Sequence, residues 1–175
     1  MHYFLQAFNK RNPIYADILN YVSLGVLLNI PDNNFRQLID YVKQMDKQAK
    51  PSGWTPDLLL WFMLNSRMKE QEKQKYAETL AYPRLYNGLY KVIQAPNAAA
   101  AKDTLNKYLD RWYNLNSNAP WYNSHLKNNS YRGYWAWEVA AVAKIMHIDD
   151  SDLKNNQYYP YDMVHWADNE TTAKE

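Results

Sequence analysis

Cysteine is absent from the 175 residues of this chain. That removes disulfide staples and thiolate metal ligands, and it fits a reducing cytoplasm. Glycine is nearly absent too, with four in all. A sheet-rich chain of this size carries many short alternating runs joined by glycine turns, so the scarcity points to helices. No stretch reaches the roughly 18 apolar residues of a membrane span. The first twelve residues place Tyr3, Phe4 and Leu5 ahead of Lys10 and Arg11, the reverse of the order in a secretory signal. Charge of one sign is missing as well: 20 basic and 18 acidic residues leave a net +2. This balance argues against direct nucleic-acid binding and against a membrane surface. There is no Gly-rich phosphate loop, nucleophile elbow, kinase signature or HExxH pair. His2, His125, His147 and His165 are scattered, so neither a cofactor nor a metal site is expected.

What the chain does have is aromatic surface. Aromatic residues make up 15 %, with sixteen tyrosines and seven tryptophans, inside a hydrophobic share of 47 %. Such side chains bury large areas but need a partner for their polar tips, so the core should have wet edges. The periodicity is helical. Ile14 to Leu28 reads as a helix buried on most sides, stopped by Pro31, with Asp32 capping the next. Phe35, Leu38, Ile39, Val42 and Met45 form one stripe. Lys50-Pro51-Ser52-Gly53 is a loop, and Thr55-Pro56-Asp57 signals a new helix with Thr55 as cap. Leu58 to Leu64 is nearly all apolar and hence central. Arg67 to Lys75 is a solvated stretch of mixed charge. Tyr82-Pro83 and Pro96-Asn97 open two more helices, the second carrying Ala101, Leu105, Tyr108, Leu109 and Trp112. A polar loop over 114–129 leads to a helix from about Arg132 to His147, broken by Asp149-Asp150-Ser151-Asp152. Tyr158 to Trp166 closes the fold. The pattern predicts an all-α protein, a single compact bundle of about six to eight helices. Residues 1–13 are read as an extension, 14–167 as the helical domain and 168–175 as a polar tail.

Glu138 falls in the middle of the apolar arc of the helix expected around it. A buried carboxylate needs partners, and none is offered locally, so a tryptophan N–H, tyrosine hydroxyl, histidine or arginine from another element should meet it. The structural role, tying elements together, is weighed against a general acid or base working with His125 or Asp162. The Asp149, Asp150 and Asp152 cluster lacks the central glycine and closing glutamate of a calcium loop and reads as a helix stop and cap.

The C-terminal third contains Trp121-Tyr122, then Gly133-Tyr134-Trp135 followed by Glu138, then Asp149-Asp150, then Tyr158-Tyr159-Pro160-Tyr161-Asp162. In this order the string resembles the C-terminal domain of the PoNi immunity proteins, antagonists of polymorphic nuclease toxins. The resemblance implies an all-helical, cytoplasmic, non-enzymatic protein that binds the nuclease domain of a secreted antibacterial toxin, often a DNase effector of a type VI secretion system. Gly133, Tyr134, Trp135, Glu138, Tyr159 and Pro160 are expected to serve folding. Trp121, Tyr122, Asp149, Asp150, Asp152 and Asp162 are the expected toxin contacts, with aromatic anchors and carboxylates that meet the basic rim of a nuclease.

Overall fold

The computed structural model describes residues 15–47, 54–127, 131 and 133–166. The expected extension, the Lys50–Gly53 loop, Arg132 and the polar tail lie outside these residues. The described residues form seven α-helices and three short 3-10 turns, and their only β-pairing is an isolated bridge between Asp57 and Thr79. The all-α class expected from the sequence holds. The chain divides into two compact units, residues 1–81 and 82–175.

In the first unit, α1 (Tyr15–Leu27) packs on α2 (Asp32–Lys47) and on α3 (Leu58–Asn65). Of the five residues of the α2 stripe, Phe35, Leu38, Ile39 and Val42 are buried, as their spacing requires, and Met45 near the end of the helix is half-buried. Gly25 lets the Phe35 ring close on α1, since a Cβ there would stand 3.1 Å from the ring carbons. What ends α1 is not Pro31. Asn29 adopts a left-handed conformation (φ 45°) and the Ile30 N–H reaches back to the Gly25 carbonyl at 3.2 Å, which satisfies a carbonyl left over at the helix end. Nor does Asp32 cap α2: the Pro31 carbonyl accepts the first helical bond, from the Phe35 N–H at 3.0 Å. Asp32 instead pairs with Arg67.

The start of α3 is also displaced from its expected position. Asp57, not Thr55, is the cap, and its Oδ1 accepts from the Leu60 N–H at 2.7 Å and from the Tyr15 hydroxyl at 2.8 Å. Its Oδ2 accepts from the Ala81 N–H at 2.6 Å. One fully buried carboxylate thus joins α1, α3 and the end of the unit. Burial raises its pKa against those hydrogen bonds, which lower it. A second hub sits at Asp46, which accepts the indole N–H groups of Trp54 and Trp61, both at 2.8 Å, and the Tyr76 hydroxyl at 2.7 Å. Arg67, in the mixed-charge stretch, donates to Asn29 Oδ1 and the Ile30 carbonyl, both at 2.9 Å, and lies over the Phe35 ring.

In the second unit, α4 (Pro83–Ile93) lies along α5 (Ala98–Leu115), and α6 (Trp137–Ile145) packs on α5 and on α7 (Tyr161–Val164). The five apolar positions expected on α5 are all buried. Pro83 takes the first position of α4, and Asn97 caps α5 by accepting the Ala100 N–H at 2.9 Å. The α6 helix begins at Trp137, not at Arg132. Before it, Gly133 has a positive φ of 82° and the Ala136 N–H bonds to the Tyr158 carbonyl at 2.9 Å. The segment holding Tyr134 and Trp135 is therefore tied to the chain near α7 rather than wound into a helix. At its other end α6 stops at Ile145, and the left-handed turn that follows at His147 (φ 52°) comes two residues before the aspartates, with the Ile148 N–H bonded to the Ala143 carbonyl at 3.0 Å.

Candidate functional site

The residues singled out by the sequence all lie in the second unit, where they form two neighbourhoods. The first is aromatic. Trp112 and Tyr113 are adjacent at the end of α5, so they project about 100° apart. Trp112 is buried; Trp121 stacks on it with ring centroids 5.4 Å apart and planes 17° apart. Tyr113 takes Tyr122 on its ring at 4.5 Å and Tyr158 in a nearly parallel stack at 5.3 Å. The loop that carries Trp121 and Tyr122 is pinned by Asn123, which is left-handed (φ 58°) and accepts the Tyr113 hydroxyl at 2.8 Å. Tyr134 lies beneath: its hydroxyl accepts the His125 backbone N–H at 3.1 Å and shares a 2.6 Å hydrogen bond with the His125 ring. The result is a set of rings fixed from below, with Trp121 36 % exposed at the edge.

Glu138 supports this platform from inside. It lies in the first turn of α6, where the helix dipole favours negative charge. Its Oε1 accepts the Trp112 indole N–H at 2.6 Å, so a tryptophan N–H from another element is the partner, one of the groups anticipated. Burial pushes its pKa up to about 7, and the Trp112 hydrogen bond opposes that shift. Glu138 does not converge with His125 and Asp162. His125 bonds to Tyr134. Asp162 lines a cleft of about 430 Å³ with Trp135, Trp137, Tyr161 and Lys154, and Glu138 is not among the residues lining it.

The second neighbourhood is acidic, and its three aspartates part company. The turn at His147 sends Asp149 and Asp152 outward, where both grip Lys102 of α5 at 2.9 and 3.1 Å. Hydrogen bonding to Lys102 and then to Ser151 holds the Asp149 carboxyl well below the usual carboxylate range. Asp152 also accepts from Asn106 at 3.1 Å. Asp150 points inward and is 5 % exposed. It accepts the Tyr159 hydroxyl at 2.7 Å and meets the His165 ring at 3.0 Å. Burial, and then the bond to Asp150, raises the Tyr159 phenol far above its ordinary pKa. Asp150 was expected at an interface, yet its carboxylate is enclosed and satisfied; it links the loop after α6 to the segment around α7. Tyr159 and Pro160 are both buried, Pro160 at the start of α7. Trp135 is 41 % exposed and leans on Trp137 at 5.8 Å.

Asp46 was missed by the sequence reading, and Asp57, named there only as part of the helix start, was not expected as a cap; both are hubs of the first unit. Among the described residues no group of three or more His, Asp or Glu could hold a metal ion, and no helix is long and apolar enough to cross a membrane. Residues 55–163 match the family model described as PoNe immunity proteins (PoNi), C-terminal. No curated protein and no solved structure matches the chain.

Proposed function

Since the chain belongs to the PoNe immunity proteins (PoNi), through the C-terminal domain that it matches, we propose that it neutralises one cognate nuclease toxin by direct binding, with no chemistry of its own. The finer reading is a secreted DNase effector of a type VI secretion system, met in the cytoplasm of the cell that makes the immunity protein. One observation carries the placement of the interface: Trp121 is partly exposed and stacked on a buried tryptophan that is itself held by Glu138. A large aromatic fixed before binding loses little freedom on docking, which is the property of an interface anchor. Tyr122, stacked on Tyr113, extends the same face.

Asp149, Asp152 and Asp162 are exposed and supply carboxylates to the basic surface that a nuclease needs for its substrate. Asp150 contributes by holding the loop that presents them. An interface of standard size over these groups would occlude the toxin's catalytic cleft.

The test is to purify the chain together with the toxin domain encoded beside it and to assay DNA cleavage by the complex. A stable complex with no cleavage is expected, and Trp121→Ala should weaken it by about tenfold or more, the scale of an anchor residue. A wild-type chain that neither co-purifies with the toxin nor reduces its cleavage would sink the proposal.

A further inference from the structure

The second unit also carries a basic groove that none of the residues above account for. It runs between α4 and α5, where the two helices approach closely because residue 88 has no side chain. A Cβ on Gly88 would stand 2.6 Å from Cδ2 of Tyr108. Tyr108 is buried there and donates its hydroxyl to the Leu85 carbonyl at 2.9 Å, so the floor is fixed. Arg84 and Lys91 share one face of α4, seven residues apart, and Lys107 and Arg111 share one face of α5, four apart. Together they line a groove of about 400 Å³, and among the described residues no carboxylate lines it with them. All four are exposed. Lys107 pairs with Asp103 at 2.7 Å. The side chains of Arg84, Lys91 and Arg111 have no ion pair or hydrogen bond among the described residues.

A chain with a net charge of only +2 thus places four cations around one small cleft. Guanidinium groups present planar pairs of donors that fit carboxylates two bonds at a time. Nucleic acid is the poorer occupant for two reasons. A bound strand needs rings to stack on, and the one aromatic residue in the lining, Tyr108, is buried. A strand also needs a continuous basic track, and Asp103 and Asp110 interrupt the basic residues along α5.

We infer that the groove between α4 and α5 receives an acidic segment of the toxin, a short run of Asp or Glu carboxylates docked on Arg84, Lys91 and Arg111. This rests on the immunity reading above. It adds a contact of opposite sign to the acidic one at Asp149 and Asp152, and two patches of opposite sign fix the register of a complex.

The first arm of the test needs no toxin. Fluorescein-labelled octaglutamate is titrated into the full chain at about 50 mM salt and again at about 300 mM, where screening is stronger. Anisotropy should rise at low salt, and binding should weaken by about tenfold or more in the Arg84→Ala, Arg111→Ala double variant, the loss expected for two charge-assisted contacts. Both arginines are exposed, so circular dichroism should be unchanged; Lys91→Ala serves as an independent second variant. No binding of octaglutamate, equal binding by all variants, or tighter binding of an oligothymidylate of the same length would each overturn the inference. In the second arm, the toxin is titrated against wild type and the double variant. Weaker binding by the variant supports the groove. Equal binding overturns the groove and leaves the immunity reading standing. A wild-type chain that holds no toxin overturns the immunity reading, and with it the toxin as the occupant of the groove.

Discussion

The indole N–H of Trp112 reaches Oε1 of Glu138 at 2.6 Å, across a core in which the carboxylate is 5 % exposed. The folded pKa of Glu138, about 7, lies above its ordinary 4.5. The unfolded chain therefore loses this proton first as pH rises. The stability associated with the neutral form is complete below pH 4.5, declines as pH rises through 7, and then levels off. At 1.36 kcal/mol per pKa unit the whole effect is roughly 2–4 kcal/mol. Glu138→Gln cannot ionise, so urea unfolding of the variant across this range should lack the decline that wild type shows. Parallel profiles for the two proteins would mean that Glu138 does not titrate in this window.

Asp57 and Thr55 offer a direct comparison of two possible caps. Asp57→Ala removes the bond to the Leu60 N–H and leaves the Tyr15 hydroxyl and the Ala81 N–H without their acceptor. Loss of a cap and of buried hydrogen-bond partners should cost about 3 kcal/mol. Thr55 is exposed and does not cap α3, so Thr55→Ala should stay within about 0.5 kcal/mol of wild type. Chemical denaturation of the two variants checks the order.

Tyr159→Phe deletes the hydroxyl that Asp150 accepts at 2.7 Å and keeps the ring. The expected loss is about 1–3 kcal/mol, the cost of stripping a donor from a buried acceptor. Toxin affinity should fall less than for Trp121→Ala at temperatures where the variant is folded, because both groups are enclosed and act only through the loop that carries Asp149 and Asp152. Calorimetric melting together with a binding titration separates the two effects.

Gly88→Ala places a methyl group against the Tyr108 ring. Overpacking costs about 1–3 kcal/mol, and the better helix propensity of alanine returns about 1 kcal/mol. An approach of 2.6 Å puts the overpacking at the upper end of its range, so the variant should be net destabilised by about 2 kcal/mol, the difference between those two effects. A thermal melt that matched or exceeded wild type would show that the helices can part at no cost.

The stripes of α2 and α5 were readable from spacing because each is decided by local geometry: residues three and four apart share a face, and the buried sets followed. The start of α6 was not readable. Gly133 to Ala136 contains aromatics at a spacing that suits a helix, yet the Ala136 N–H is claimed by the Tyr158 carbonyl, 22 residues along the chain. Asp57 was passed over for a similar reason, since Thr-Pro ahead of it satisfies the local rules, whereas Tyr15 and Ala81 give the carboxylate its place. Within the acidic cluster, three aspartates in four residues look alike. Which of them turns inward depends on the left-handed turn at His147 and on Tyr159, and neither is a local signal. The burial of Glu138 was readable, because a charged residue stood alone among apolar neighbours.

The way this chain turns has a consequence for how it tolerates change. Among the described residues, Asn29, Asn123 and His147 hold positive-φ positions as Gly133 does, while Gly25 and Gly88 sit inside helices against aromatic rings. The usual division of labour is thus reversed at these sites. In a saturation library, Gly88 should behave like a core position and disfavour even alanine for want of space, while Gly25, where the Phe35 ring has only a few tenths of an ångström to yield, should refuse the larger side chains. Asn29, Asn123 and His147 should refuse valine or isoleucine, whose branched Cβ is the poorest fit to a left-handed backbone; glycine should be accepted readily at His147, whereas at Asn29 and Asn123 it also gives up the hydrogen bonds from Arg67 and Tyr113.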